Sequence, residues 1–171
     1  MKKIFILFAA VGLFSFSGCS NDDEIGNDTI SSVFQLNNVS FVYDNIDGYV
    51  IYQKFGSLLF ERDVVLIYRQ VGALNGSNAP VWQQIPRTLY LDQGELDYDF
   101  DFSDEDFTIY AAGTYNLATT PQFLNNQTFR IVIVPGSANG LAKSVNKEDF
   151  SDYNAVIKKY NIDDTKVKNL N

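Results

Sequence analysis

The densest run of chemically capable side chains lies between Asp92 and Asp106. Asp92, Glu95, Asp97, Asp99, Asp101, Asp104, Glu105 and Asp106 occur there without one Lys or Arg. Carboxylates can hold a hard cation such as calcium, which prefers oxygen ligands. Asp97-x-Asp99-x-Asp101 opens like an EF-hand loop, but Phe102 stands where that loop requires Gly and Thr108 where it requires Glu. A calcium site of another kind would draw on Asp97, Asp99, Asp101 and Asp104. The competing reading is a solvated acidic face that resists edge-to-edge association of strands. Carboxylates also serve glycoside hydrolases, which need two of them facing across a cleft, about 5 to 5.5 Å or 6.5 to 9.5 Å apart. In an extended strand Asp97, Asp99 and Asp101 instead line up along one face, roughly 6 to 7 Å between neighbours. A carboxylate-based hydrolase is therefore the weakest of the functional readings.

Other chemistries lack their residues. The 171 residues include no histidine and one cysteine, Cys19. That removes Ser-His-Asp and Cys-His nucleophilic sites, His-based zinc sites and the usual general base near neutral pH. Neither a GxxxxGK phosphate loop nor a GxGxxG dinucleotide fingerprint is present, so nucleotide chemistry has no visible support. No cofactor is expected.

Cys19 has a distinctive setting. Lys2 and Lys3 precede an apolar run from Ile4 to Phe16, and Ser17-Gly18 supply small residues just before it. This is the layout of a secretory signal peptide, residues 1–18, and the run is shorter than the roughly 20 apolar residues needed to span a bilayer. The site resembles the lipobox of bacterial lipoproteins, with Phe16 in place of the more usual Leu. The resemblance implies that Cys19 is lipidated and becomes the mature N-terminus, anchored by its acyl chains at about 0.8 kcal/mol per buried CH2. The following Ser20, Asn21, Asp22, Asp23 and Glu24 resemble the acidic signal that exports Bacteroidota lipoproteins to the cell surface. Asp28-Thr29-Ile30 resembles the site at which these bacteria O-glycosylate exported proteins, making Thr29 a candidate. Residues 19–32, polar and aperiodic, read as a flexible tether with a reach of roughly 20 Å.

Three stretches, Asp63–Arg69, Phe129–Val134 and Tyr153–Ile157, resemble a family of small Bacteroidota outer-membrane and surface lipoproteins. Some of its members carry names such as dihydrolipoamide dehydrogenase. A flavin disulfide reductase needs a dinucleotide fold and a redox cysteine pair, and this chain has neither.

The full chain carries 13 basic and 21 acidic residues, a net charge of −8. Loss of Lys2 and Lys3 with the signal peptide leaves 11 against 21, or −10. Such an acidic chain does not suit nucleic acid or anionic lipid head groups. An apolar content of 46%, with 15% aromatic residues, suits one globular domain over residues 33–171.

The elements that must position these side chains are mostly strands. Val39 to Tyr43 and Gly48 to Lys54 flank a hairpin loop at Asp44–Asp47. Asp63 to Arg69 contains Val64-Val65-Leu66-Ile67-Tyr68, too apolar for a half-wet strand and therefore central. Gly72 to Ala79 reads as a loop, and strands follow from Pro80 toward Pro86 and from Arg87 to Leu91. In Glu95–Phe102 strict alternation places Leu96, Tyr98, Phe100 and Phe102 on one face and acids on the other. Phe107 to Ala112 and Phe129 to Val134 are further strands, with a loop or short strand around Thr114 to Leu117. Tyr153, Val156, Ile157 and Tyr160 fall on one helical stripe over residues 152–160, capped by Ser151 or Asp149 and ended by Asn161.

Many short strands without alternating helices predict an all-β antiparallel sandwich, immunoglobulin-like or a related Greek key, with one short C-terminal helix; a small barrel is the alternative. The functional expectation is a non-enzymatic, lipid-anchored protein of the outer membrane, exposed at the cell surface. Its sandwich would bind a glycan or another envelope protein, since Trp82 and the ten tyrosines can stack on sugars. The alternative is a periplasm-facing structural or assembly subunit of an outer-membrane complex.

Overall fold

A computed structural model describes residues 32–136 and 150–171. The signal peptide, Cys19, Ser20 to Glu24, Thr29 and Asp149 lie outside the described residues. The strands are β1 (Val33–Val39), β2 (Val42–Asp44), β3 (Gly48–Lys54), β4 (Val64–Ala73), β5 (Pro80–Ile85), β6 (Arg87–Leu91), β7 (Gly94–Phe102), β8 (Asp106–Gly113), β9 (Gln127–Val134) and β10 (Lys168–Asn169). One helix, α1 (Tyr153–Lys159), precedes β10. The strands form two five-stranded sheets, β10-β1-β9-β4-β5 and β2-β3-β8-β7-β6, so the molecule is an all-β sandwich and not a closed barrel. Every pairing is antiparallel except that of β10 with β1.

The two sheets differ in how they are covered, and their sequences differ accordingly. In the first, Phe34, Leu36, Val65, Ile67, Phe129, Ile131 and Ile133 face the second sheet, while Val33, Leu66, Tyr68, Val132 and Val134 face the other way. The outward set packs against Tyr153, Val156 and Ile162 of the C-terminal segment. Burial on both faces explains why Val64–Tyr68 and Ile131–Val134 are almost unbroken apolar runs. In the second sheet Ile51, Leu96, Tyr98, Phe107, Ile109 and Ala111 are buried in the core from one face, so β7 and β8 alternate. Phe102, which alternation places on the core face, is 46% exposed at the end of β7 and stacks on Phe100.

Two expectations need correction. The stretch Val39 to Tyr43 is not one strand. Val39 ends β1 in the first sheet and Val42 begins β2 in the second, because Asn38 adopts a left-handed φ of 52° and the register shifts between Leu36 and Val39. Phe41, at the crossing, donates its N–H to the carbonyl of Leu124. Of the two readings of Thr114 to Leu117, the loop holds; 3-10 turns at Leu117–Thr119 and Pro121–Phe123 follow, the first capped by Asn116. The helix is capped by Asp152, not Ser151 or Asp149. Its carboxylate accepts the N–H groups of Asn154 and Ala155, which have no partner inside the helix. Asn161, at φ 51°, ends the helix as expected.

β5 ends at Ile85 and the chain passes to the other sheet through a cis Ile85–Pro86 bond, so β5 and β6 are edge strands on the same flank. β6 and β7 then form a hairpin around Asp92-Gln93, with Leu91 opposite Gly94. Gly94 has a φ of 137°, and a Cβ there would meet the Thr114 hydroxyl at 2.6 Å. Only glycine fits both demands.

Candidate functional site

Four acids of the run, Glu95, Asp97, Asp99 and Asp101, occupy the outer, solvent-facing side of β7. The register sets Asp97 opposite Ala112 and Thr88, Asp99 opposite Tyr110, and Asp101 opposite Thr108. On the next strands Tyr110 is opposite Val50, and Tyr52 is opposite Thr108. Tyr52 and Tyr110 are thus diagonal neighbours, on the order of 7 to 8 Å apart, on a face that carries acids and hydroxyls together with Val42, Val50, Ala112 and Lys54.

Each of three carboxylates is engaged by a hydroxyl. Tyr52 Oη donates to Asp106 Oδ2 at 2.9 Å, Tyr110 Oη to Asp101 Oδ2 at 2.9 Å, and Thr88 Oγ1 to Asp97 Oδ1. Asp106 also accepts from Ser103 Oγ at 2.7 Å. Bonds from Ser103 and Tyr52 hold the Asp106 carboxyl below its ordinary value, and the same bond raises the Tyr52 phenol. Partial burial, then the bond to Asp101, raises Tyr110. The tyrosines are therefore neutral donors at neutral pH, and Asp106 is an ionised acceptor.

This arrangement separates the acids. Asp104 and Glu105 sit in the turn after β7, where their carbonyls accept the N–H groups of Leu59 and Phe55. Among the described residues no three acidic side chains converge in a way that could hold a metal ion. Asp97, Asp99 and Asp101 point from one strand face, not across a cleft. What the face offers chemically is a flat surface of aromatic rings and hydrogen-bond acceptors.

Trp82 is elsewhere. It is half-buried on the outer side of the first sheet, under the Arg130 guanidinium at 4.5 Å from its ring centre and beside the Tyr153 ring at 5.8 Å. Tyr68, Tyr98 and Tyr153 are buried. Burial pushes the Tyr98 and Tyr153 phenols up to about 12. Of the rings considered as sugar platforms, Tyr43 at 62% exposure, Tyr52 at 55% and Tyr90 at 81% lie open on the second sheet.

A second feature had no signal in the linear pattern. Arg69, on the core side of β4, is buried, and beside it a cavity of about 460 Å3 opens on the flank between β5 and β6. Gln83, Arg87, Leu89, Leu91 and Phe123 also line it. Burial lowers the guanidinium from its ordinary value, and the Tyr98 phenol opposes that shift. An arginine following the apolar run Val64–Tyr68 looks like an ordinary strand end; only the pairing of β4 with β5 and the crossing to β6 turn it inward.

No protein-family model, curated protein or solved structure matches this chain.

Proposed function

We propose that this chain is a lipid-anchored envelope protein, held at the outer membrane through Cys19 and exposed at the cell surface, whose sandwich is a non-enzymatic glycan-binding module. The observation that carries the binding role is the asymmetry of the sandwich. One sheet is sealed by the C-terminal segment, whereas the other keeps Tyr52 and Tyr110 on an open face with their hydroxyls tied to Asp106 and Asp101. Tied hydroxyls hold the rings in place, which lowers the entropy lost when a ligand stacks on them. Asp99 and the remaining carboxylate oxygens accept bonds from sugar hydroxyls. Because the face is acidic, the ligand class is neutral; an anionic glycan would be repelled. The anchoring part rests on the basic n-region, the apolar run and the small residues before Cys19.

The test is a screen of neutral glycans against the domain beginning at Ser32, followed by calorimetry on Tyr52→Ala and Tyr110→Ala. Each substitution should weaken binding by about tenfold or more while the fold is retained. Undiminished binding in both variants would reject this face. For the anchor, Cys19→Ala should release the protein from the membrane fraction, and protease added to intact cells should digest the parent protein while sparing a periplasmic control. Protection until the outer membrane is opened would instead favour a periplasm-facing assembly subunit.

A further inference from the structure

The flank between β5 and β6 contains a buried cation with donors to spare. Arg69 is 8% exposed and stands directly opposite Gln83 on the core side of the sheet. Its Nε donates to Gln127 Oε1 at 2.8 Å, and its guanidinium carbon lies 4.7 Å from the centre of the Tyr98 ring and 5.9 Å from that of Phe123. Gln127 is itself fixed, donating to the carbonyls of Gln122 and Asn125. The two Nη groups carry four further N–H donors in a fork suited to a carboxylate. Among the described residues no carboxylate pairs with Arg69, and no fully buried side-chain nitrogen lacks a hydrogen-bond partner. The Nη groups therefore reach the cavity of about 460 Å3 that Arg69 helps to line.

We infer that this cavity binds a small amphipathic monocarboxylate, its head held by Arg69 with Arg87 at the rim and its apolar body laid against Leu89, Leu91 and Phe123. Two cations and no acid line the cavity, so its local charge is opposite to that of the whole chain. That contrast excludes a cation and selects an anion. The body is apolar to match Leu89, Leu91 and Phe123, which with Val71 form the apolar part of a lining that also holds Gln83, Thr88 and Tyr90. Thr88 already donates to Asp97, and a hydroxylated ring would turn its hydroxyls toward leucine and phenylalanine. The depth of Arg69 also fixes the order of the ligand, head inward and tail toward the flank.

Octanoate, 1-octanol and galacturonate are suitable probes, titrated into the domain while the Arg69 Nε–H resonance is followed by NMR. Octanoate should move that resonance saturably, 1-octanol should not, and galacturonate should bind more weakly than octanoate. Arg87→Gln, a change at the exposed rim that leaves the core intact, should weaken octanoate binding by about tenfold or more. Tyr52 and Tyr110 signals should stay still, which separates this site from the open glycan face. Failure of octanoate to give a saturable shift at millimolar concentration overturns the inference. So does an equal response to 1-octanol, tighter binding of galacturonate, or an Arg87→Gln variant that binds as the parent does.

Discussion

Arg130 and Arg69 lie on opposite faces of the same sheet, and their surroundings show what each face is for. Arg130, on the outer face, is fully provided for. It donates to Gln35 through Nε and Nη2 and to Tyr153 through Nη1, lies 4.0 Å from the Asp164 carboxylate, and covers Trp82. Tyr153 in turn donates to Asp164 at 3.0 Å. The network ties α1 and the segment after it to β1, β5 and β9. Arg69, on the inner face, has one side-chain acceptor and two aromatic rings. Arg130, with its acid beside it, joins two layers, whereas Arg69 has no carboxylate partner among the described residues. The same contrast holds between the sheets. The outer face of the first is sealed by apolar and ionic contacts, and that of the second keeps its acids and tyrosines in water.

The sharpest way to break this contrast is to unseal the first sheet. Tyr153 is buried and packs edge-on against Tyr68 at 5.3 Å. Tyr153→Ala should cost about 3 to 5 kcal/mol in urea unfolding, the range for removing a large core aromatic, and should expose Trp82 to fluorescence quenchers. Arg130→Gln should cost less, about 1 to 3 kcal/mol, because it removes charge-assisted bonds that are only partly shielded from water. The open face should respond weakly. Asp99→Asn should leave stability within about 0.5 kcal/mol of the parent, because its one bond, from the Phe100 N–H, is exposed and the amide oxygen of Asn can accept it as well.

The smallest effect is electrostatic. The folded-state value of Asp106 lies below the ordinary 3.8, so its bonds contribute stability that is fully present above 3.8 and is lost as pH falls through the lower folded value. Tyr52 has the opposite sense. Its phenol is raised above 10.0, so the same hydrogen bond contributes below 10.0 and is lost as pH rises through the higher folded value. Unfolding midpoints across pH for the parent and Tyr52→Phe should therefore converge at both extremes and differ between them. Parallel curves would show that this bond does not report on folding.

Much of the architecture was legible along the chain because burial writes itself into periodicity. Glu95–Phe102 alternates since one side of β7 is wet, and Val64–Tyr68 does not since both sides of β4 are dry. The stripe Tyr153, Val156, Ile157 and Tyr160 marked the helix and its buried side. The strand break at Ser40 was not legible, because Val39 to Tyr43 is uniformly strand-forming and the crossing depends on Asn38 and on a carbonyl of Leu124 far along the chain. β10 was missed because two residues carry no period.

By itself the sequence determined the local chemistry: no histidine, a lone Cys19 in its leader context, an acidic face along β7, and a core made from alternating and continuous apolar runs. Local spacing suffices for these, since backbone geometry carries side chains to one face or the other every second residue. Only the tertiary structure decided which tyrosines are open, which acids receive hydroxyls, and that Arg69 turns inward beside Gln127, Phe123 and the flank of β6. Those outcomes depend on contacts between residues nine to 58 positions apart, set by which strands pair and in what register, and that pairing leaves no trace in a local pattern.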